Sequence, residues 1–343
     1  MKKLALIGCG GIGSYHLEHF MDYTDIELAG FCDLIPERAE KFVKRAGSGK
    51  AFTDFREMYD AVAPDMVFIC VPPYAHGDIE FETIRRGIPF FVEKPLTLDI
   101  ELARKINALV TQKGLITACG FQCRYSNIVD DTKRFAKEHD IAFVSCNRMG
   151  GIPDTEWWAD KSLSGGQIVE QTIHNFDMIR YIIGDPVEVY TIGTTGFVNG
   201  GDDYKTDDLT VTSVRFASGA LGALSTGCYA TDGSCCDNKI TFSAGDARLD
   251  HYIIEKAVVY GANAADEDSA AIVKGDGKMR STAEGIEIRD DGMAGVRCDR
   301  TFVDAVLTGD ATKIRSPYSD ALRSLEFTLA CNFSQEIGSP VEL

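Results

Sequence analysis

The sequence predicts a two-domain α/β protein, in which a doubly wound parallel sheet is followed by an α+β domain with a large, mostly antiparallel sheet. Its 343 residues are too many for one ordinary domain and suit two. Up to residue 119, short apolar runs alternate with amphipathic stretches, which is the pattern of βαβ units. From Val187 onward, longer strand-like segments follow one another, which is typical of antiparallel pairing.

The first domain, assigned to residues 1–124, is predicted from apolar runs that make strands buried on both faces of a parallel sheet. These strands are expected at 4–8, 26–32, 66–71, 90–92 and 115–119. Amphipathic stretches between them predict helices that cover the sheet, at 12–21, 37–45, 79–86 and 100–112.

The second domain, assigned to residues 125–343, is predicted to begin with a helix and a strand and to close with two helices. The helices are expected at 128–137, 167–183, 296–307 and 320–337, and the strands at 142–148, 187–192, 209–216, 220–228, 239–243 and 251–260. A polar loop carries Trp157 and Trp158, and the small polar residues of 263–276 predict a surface loop. The exposed face of this sheet would need covering, which favours a homodimer or homotetramer formed through it.

The charge balance excludes two classes of partner. Thirty-five Lys and Arg against 52 Asp and Glu give a formal charge of −17, which repels nucleic acid and anionic membrane surfaces. No segment approaches the roughly 18 apolar residues of a membrane span. The apolar run after Lys3 is also shorter than the roughly 7–15 residues of a secretory signal, so we expect a buried strand there.

Eleven scattered cysteines favour the reducing cytoplasm, because exposed thiols would cross-link in an oxidising compartment. The adjacent Cys235 and Cys236 are either a redox-active pair or two inert thiols. We predict no metal site: the cysteines form no pair of zinc knuckles, and no third ligand is indicated beside His16 and His19 on the first helix.

Residues 8–13, Gly-Cys-Gly-Gly-Ile-Gly, fit the pattern G-x-G-x-x-G in a specific context, between the first predicted strand and the first predicted helix. Gly8 would allow a tight turn, Gly10 would let a pyrophosphate approach, and Gly13 would let helix and strand pack closely. Backbone N–H groups at the helix start, including those of Gly11 and Ile12, would bind the phosphates. The segment therefore predicts a dinucleotide site.

Asp33 lies twenty residues after Gly13, at the end of the second predicted strand. Its carboxylate can accept hydrogen bonds from both hydroxyls of an adenosine ribose and would repel a 2′-phosphate. This favours NAD over NADP, although the nearby Arg38 and Arg45 leave NADP open.

Two further segments carry candidate catalytic side chains. Glu93, Lys94 and Pro95 end a predicted strand at the carboxyl edge of the sheet, where ligands of open α/β sheets bind. In a helix over 167–183, Glu170 and His174 would lie one turn apart on one face, where they could orient a hydroxyl and take its proton. Taken separately, each pair could equally be a structural contact.

Together these features resemble the Gfo/Idh/MocA family of glucose–fructose oxidoreductases, inositol dehydrogenases and rhizopine-catabolism proteins. The segments that carry the resemblance run the length of the chain: the glycine turn, 71–76 (Val-Pro-Pro-Tyr-Ala-His), 93–95, 120–125 (Gly-Phe-Gln-Cys-Arg-Tyr), the helix with Glu170 and His174, and 318–322 (Tyr-Ser-Asp-Ala-Leu). The resemblance implies a Rossmann domain, Lys94 between nicotinamide and substrate, and His174 as general acid/base. Glu170 stands where the family usually has Asp, which could alter how substrate hydroxyls are held.

The resemblance also implies which other residues lie near the ligands. Besides the glycine turn and Asp33, the cofactor would be contacted by Val71, Pro72, His76, Glu93, Lys94 and Gln122. The substrate would be contacted by Lys94, Arg124, Tyr125, Glu170, His174 and Asn175, and by one or both of Trp157 and Trp158, whose rings suit the C–H face of a sugar. The alternative for the tryptophans is that they anchor their loop on the core.

The implied reaction transfers a hydride between a secondary hydroxyl of a sugar, glycoside or cyclitol and the nicotinamide. His174 would take the hydroxyl proton, and Lys94 would stabilise the developing alkoxide. One alternative on the same fold is redox-neutral glycoside cleavage with tightly held NAD, and a second is a non-catalytic NAD-binding regulator. The sequence does not identify the sugar, the carbon that is oxidised or the physiological direction.

Overall fold

The structure is a computed structural model, and it describes residues 1–196, 204–261 and 285–343. The predicted loop over 263–276 lies outside the described residues. No helix in the described part of the chain is both long enough and apolar enough to cross a membrane.

The first sheet is parallel throughout, with strand order β3-β2-β1-β4-β5-β6. Its strands are β1 (Lys2–Ile7), β2 (Ile26–Cys32), β3 (Lys50–Phe52), β4 (Met66–Ile69), β5 (Phe90–Val92) and β6 (Thr117–Cys119). The helices between them are α1 (Gly11–Phe20), α2 (Pro36–Ala46), α3 (Phe55–Val62), α4 (Asp78–Arg86) and α5 (Ile100–Lys113). The predicted doubly wound sheet is confirmed.

The second sheet has nine described strands in the order β14-β13-β12-β11-β7-β10-β9-β8-β15, and only the central β7–β10 pair is parallel. Its strands are β7 (Phe143–Gly150), β8 (Pro186–Thr194), β9 (Leu209–Phe216), β10 (Leu221–Cys228), β11 (Asp237–Ser243), β12 (Arg248–Tyr252), β13 (Lys256–Tyr260), β14 (Ile286–Arg289) and β15 (Val341–Glu342). The accompanying helices are α6 (Ile128–Glu138), α7 (Lys161–Ser164), α8 (Gly166–Glu170), α9 (Ile173–Ile183), α10 (Ala294–Thr308) and α11 (Tyr318–Ile337). The predicted mostly antiparallel sheet is confirmed.

Two predicted elements are each divided in the structure. The helix expected over 167–183 is interrupted between α8 and α9, where the Thr172 N–H returns to the Gln167 carbonyl at 2.7 Å. The strand expected over 251–260 is a hairpin of β12 and β13, because Ile254 in the connecting turn has φ +52° and cannot continue a strand. The prediction also missed β3 and α3, which are short and lack a long apolar run.

Helix α10 packs on the first sheet although it lies late in the chain. Its buried Phe302 ring stacks edge-on against Phe68 of β4 and Phe91 of β5, with ring centroids 5.4 Å and 5.9 Å apart. Cys298 and Val306 of the same helix belong to this cluster, which also contains the core face of α1. Chain segments on both sides of residue 124 therefore build the core around the first sheet.

Candidate active site

The glycine turn between β1 and α1 has two closely packed glycines and two open ones. Gly8 has φ +94°, and a Cβ there would lie 2.2 Å from the Cys70 carbonyl oxygen. A Cβ on Gly13 would lie 2.1 Å from the Gly8 carbonyl oxygen, whereas one on Gly10 or Gly11 would meet no described atom within 4 Å. The close contacts explain the first and last glycines of the pattern, and the open middle leaves space for a ligand.

Asp33, at the end of β2, is tied to this turn. Its carboxylate accepts hydrogen bonds from the Cys9 N–H at 2.8 Å and from the Ile35 N–H at 2.9 Å. The carboxylate is therefore held beside the glycine turn, as the sequence predicts. The side chain of Ile12, at the start of α1, is exposed.

The segment after β4 places Val71 and Pro72 before the buried His76. The Nδ1 of His76 is 2.6 Å from the Glu80 carboxylate, which also accepts the Gly77 N–H at 2.6 Å. The Nε2 of His76 is buried and has no hydrogen-bond partner among the described residues. A buried polar atom of this kind suits a contact with a bound ligand.

Glu93, at the end of β5, is buried and bound on both oxygens. One oxygen lies 3.0 Å from His16 Nε2, and the other accepts the Lys94 N–H at 3.1 Å. Gly120 lies directly against this carboxylate, since a Cβ there would fall 2.2 Å from Oε1. Glu93 thus fixes the backbone from which Lys94 projects.

Sequence spacing does not reveal the group that Asp299 of α10 forms with His16 and His19. Its carboxylate lies 2.8 Å from His16 Nδ1 and 2.6 Å from His19 Nδ1, so it is the third potential ligand that the sequence does not indicate. Although burial opposes the charged imidazole, Asp299 and Glu93 together raise the pKa of His16 to about 10. We interpret the group as a hydrogen-bonded ion network that supports Glu93.

Lys94, which follows β5, forms an ion pair with Glu170, the last residue of α8. The Lys94 ammonium donates to a Glu170 carboxylate oxygen at 2.8 Å and to the Glu170 backbone carbonyl at 2.8 Å. Burial lowers the pKa of Lys94, but the Glu170 carboxylate outweighs this and holds the pKa above its ordinary value. Lys94 is therefore a fixed, charged ammonium.

His174 lies next to this ion pair as an uncharged imidazole. Burial, the Lys94 ammonium and the Arg148 guanidinium together lower the pKa of His174 to about 3. Its Nδ1 is buried without a hydrogen-bond partner among the described residues. A neutral imidazole beside a fixed cation can accept a proton.

The structure corrects how Glu170 and His174 come together. They are not on one continuous helix: Glu170 ends α8 and His174 is the second residue of α9. The Thr172 side chain and backbone N–H both return to Gln167, which closes the junction. The bend sets the directions in which the side chains of α8 and α9 project. The sequence gives only a weak signal for it, a threonine at position 172 that follows Gln167 by five residues.

The two tryptophans have different surroundings. Trp158 is completely buried, and its indole N–H donates to the second oxygen of Glu170 at 2.7 Å, so it supports Glu170 instead of offering an open face. Trp157 is partly exposed, and its ring lies edge-on to that of Tyr74, with centroids 6.3 Å apart. Only Trp157 keeps a face that a ligand could reach.

Arg124 and Tyr125, which the resemblance places near the ligands, are buried among protein groups instead. The Arg124 guanidinium binds Asp177 with an Nε–Oδ2 distance of 2.8 Å and also pairs with Asp320. The Tyr125 hydroxyl accepts the Arg315 N–H at 2.8 Å. Arg124 is therefore bound to α9 and α11, and Tyr125 to the segment before α11.

Asn175 and Gln122 also have protein partners. The Asn175 amide donates to the Asn238 side-chain oxygen at 2.8 Å, and the Gln122 oxygen accepts the Tyr15 hydroxyl at 2.7 Å. Cys235 and Cys236 are exposed, and all eleven cysteines are free thiols. Sequence reasoning missed Arg148 and Asn238, which lie beside the site on β7 and β11.

Two models of one protein family match this chain. Residues 2–121 match "Oxidoreductase family, NAD-binding Rossmann fold", and residues 140–249 match "GFO/IDH/MocA C-terminal domain". The scyllo-inositol 2-dehydrogenase (NAD(+)) of Bacillus subtilis (strain 168) is 28% identical over 228 residues, which are 64% of this chain and 65% of that protein. The myo-inositol 2-dehydrogenase of Thermotoga maritima is 27% identical over 65% of this chain and 67% of that protein.

Solved structures share the whole fold. GenD2 from gentamicin A biosynthesis, in complex with NAD, has a TM-score of 0.81 at 21% identity and covers 100% of this chain and 96% of that one. A levoglucosan dehydrogenase in complex with NADH has a TM-score of 0.83 at 18% identity and covers 99% of this chain and 98% of that one. The chain therefore belongs to the Gfo/Idh/MocA oxidoreductase family.

Proposed function

We propose that this protein is an NAD-dependent dehydrogenase that acts on a secondary hydroxyl of a sugar, glycoside or cyclitol. The observation that carries the proposal is the meeting of Lys94, from the end of β5, with Glu170 and the neutral His174 from the α8–α9 junction. The curated relatives named as inositol dehydrogenases support this substrate class.

The chain has the groups that NAD requires. Gly10 and Gly11 leave open space at the start of α1, where backbone N–H groups favour a pyrophosphate. The Asp33 carboxylate beside them would accept ribose hydroxyls and repel a 2′-phosphate, which favours NAD over NADP. The unpartnered Nε2 of His76 offers a further polar contact.

When bound, the nicotinamide supplies the acceptor for the hydride that leaves the substrate carbon. Two of the three N–H groups of the Lys94 ammonium are held by Glu170, which orients the third toward a substrate oxygen. His174 accepts the hydroxyl proton as the carbonyl forms, and the positive Lys94 stabilises the developing oxyanion. Glu170, held by Lys94 and Trp158, has lone pairs left for a neighbouring substrate hydroxyl.

The test is a screen for NAD⁺ reduction, followed at 340 nm, over free sugars, inositols, sugar acids and glycosides. We expect steady NADH formation with at least one polyhydroxylated compound. Release of a cleaved glycoside without NADH would instead indicate redox-neutral cleavage. Bound NAD with neither reaction across the whole screen would contradict the proposal.

We also propose that the protein forms a homodimer or homotetramer through the outer face of the second sheet. Large apolar side chains on this face are exposed, namely Phe143, Tyr190, Ile192, Val211 and Leu221. Ile192 and Val211 are cross-strand neighbours, so their exposed surfaces are continuous. We expect light scattering to give a multiple of the 37.5 kDa chain mass, and Ile192→Glu to shift it toward a monomer.

A further inference from the structure

Arg148 lies on β7, on the face of the second sheet that packs against α8 and α9. Strand β7 alternates, and Cys146 and Gly150 on either side of Arg148 are buried on the inner face. A Cβ on Gly150 would fall 2.7 Å from the guanidinium carbon, so the side chain extends along the strand over this glycine. The absence of a side chain at Gly150 makes room for the guanidinium at the carboxyl end of β7.

The neighbours of Arg148 connect it to His174. Across the sheet, Arg148 is paired with Asn238 of β11, whose side-chain oxygen accepts the Asn175 amide at 2.8 Å. Asn175 is adjacent to His174 in α9, and it also donates to the sulfur of Cys146 at 3.5 Å. The guanidinium therefore lies on the same side of the second sheet as His174, the proposed proton acceptor. We call the space that Lys94, Arg148 and His174 share the chamber.

The hydrogen bonds that Arg148 makes go to uncharged groups, so they do not neutralise its positive charge. One nitrogen, Nη1, donates to the Gly227 carbonyl at 2.6 Å and to the Cys228 sulfur at 2.9 Å. In the described part of the chain, no carboxylate forms an ion pair with Arg148, and its other nitrogens have no hydrogen-bond partner. A partly buried guanidinium without a counter-charge is unusual in a chain with a formal charge of −17.

The nearby carboxylates are already engaged. Glu170 is held by Lys94 and Trp158, and Glu93 is held by His16 and by the backbone N–H of Lys94. The chamber therefore contains two cations, Lys94 and Arg148, and the Glu170 carboxylate contacts only Lys94. A substrate with an anionic group would supply the missing charge.

We propose that Arg148 forms an anion subsite, so that the substrate is an acidic sugar or cyclitol bearing a carboxylate or a phosphate. The guanidinium presents a planar set of N–H donors, which suits two oxygens of either group. The proposal rests on the proposed dehydrogenase function and defines its substrate class. Neutralising Arg148 by the substrate would also remove one of the charges that make His174 a weak base, so that binding and proton acceptance support each other.

The test compares matched acid and neutral compounds. Hexuronates and hexose 6-phosphates are each paired with the parent hexose, and inositol phosphates with inositol, in the NAD⁺ reduction assay. Binding of the acids to the NADH-loaded protein is measured separately by calorimetry. We expect at least one acid to be preferred over its neutral partner by about 10- to 100-fold in kcat/KM, and the preferred class separates carboxylate from phosphate.

Arg148→Gln should abolish this preference, because it should raise KM for the acid much more than it changes KM for the neutral partner. Arg148→Lys should keep part of the preference, because the charge remains but the planar donor set is lost. Arg215→Gln, on the exposed outer face of the same sheet, removes the same charge and should leave the preference unchanged.

Equal losses for acid and neutral compounds in Arg148→Gln would mean that Arg148 only joins β7 to β10, and this would overturn the proposal. So would a wild-type protein that binds none of the acids, or one that oxidises the acids and their neutral partners equally well. The calorimetric measurement separates this inference from the dehydrogenase function: acid binding that depends on Arg148 would uphold the subsite even if no compound is oxidised.

Discussion

The glycine turn is built from six consecutive residues, whereas Lys94 follows a strand of the first sheet and Glu170 and His174 lie on either side of a helix break. In the turn, backbone atoms decide the geometry, because Cβ atoms on Gly8 and Gly13 would overlap carbonyl oxygens. Among Lys94, Glu170 and His174, side-chain charges and buried hydrogen bonds decide the geometry. A local steric pattern can therefore be read from the sequence, while the electrostatic cluster depends on tertiary structure.

The largest expected effect is a loss of kcat on substitution within the group of Lys94, Glu170 and His174. His174→Ala removes the proposed proton acceptor and should lower kcat by about 10²- to 10⁴-fold, measured by steady-state kinetics on a substrate from the screen. NAD affinity, measured by calorimetry, should stay within about twofold of wild type because the cofactor is held by the first domain. His139→Ala, a surface histidine, is the matched control. Normal turnover in His174→Ala would remove His174 from the mechanism.

In the glycine turn, Gly13→Ala should weaken NAD binding more than it lowers kcat, which is the reverse of the effect of His174→Ala. The added methyl would lie 2.1 Å from the Gly8 carbonyl oxygen, so either α1 or β1 must shift. We expect NAD affinity to fall by at least about tenfold, with a smaller change in kcat at saturating NAD. Gly245→Ala, where a Cβ meets no described atom within 4 Å, should leave affinity unchanged. Wild-type affinity in Gly13→Ala would show that the turn tolerates a side chain.

A smaller effect tests whether Trp158 acts through Glu170. Trp158→Phe removes an indole donor from a buried carboxylate. A hydrogen bond to a charged group contributes about 1.5–3 kcal/mol, and because only part of this is lost between substrate binding and the transition state, we expect kcat/KM to fall by about five- to tenfold. The effect should shrink in a Glu170→Gln background, since the donor then loses its charged partner. Equal effects in both backgrounds would indicate that Trp158 acts by packing alone.

The last test concerns pH and is measured as the free energy of unfolding, not as turnover. Because the pKa of His174 is lowered to about 3 in the folded protein, the unfolded chain binds a proton below its ordinary value near 6.5 and the folded chain does not. This contribution to the free energy of unfolding is therefore lost as pH falls from about 6.5 to about 3, by up to about 1.4 kcal/mol per pH unit. Urea unfolding of His174→Asn should show a shallower decline than wild type between pH 7 and 5. Identical slopes would contradict the lowered pKa.

The sequence predicted the elements that a local pattern defines. Strand β2 over Ile26–Cys32 and strand β5 over Phe90–Val92 were predicted with their observed bounds because each is a mainly apolar run, broken in β2 only by the exposed Glu27. The family matches confirm the fold that these patterns indicate. The order of strands within the second sheet depends on pairing between distant segments, and the sequence shows only that such strands exist.

The site was predicted less completely because partners distant in sequence decide it. The family resemblance placed Arg124 near the ligands, yet its guanidinium pairs with Asp177 and Asp320. The sequence left open which of Trp157 and Trp158 would offer a ring face, and in the structure Trp158 is buried with its N–H bound to Glu170. Arg148 was missed, although its place two residues from Cys146 and from Gly150 on an alternating strand could have indicated an inward-facing side chain.

The packing of α10 has a consequence for how the molecule can be dissected. A fragment that stops at residue 124 would retain the complete glycine turn but would lose the helix that covers Phe68 and Phe91. It would also leave His16 without Asp299, so that the support of Glu93 would be incomplete. A minimal nucleotide-binding fragment therefore needs residues 294–308 joined to the first 124, as a circularly permuted or two-piece design.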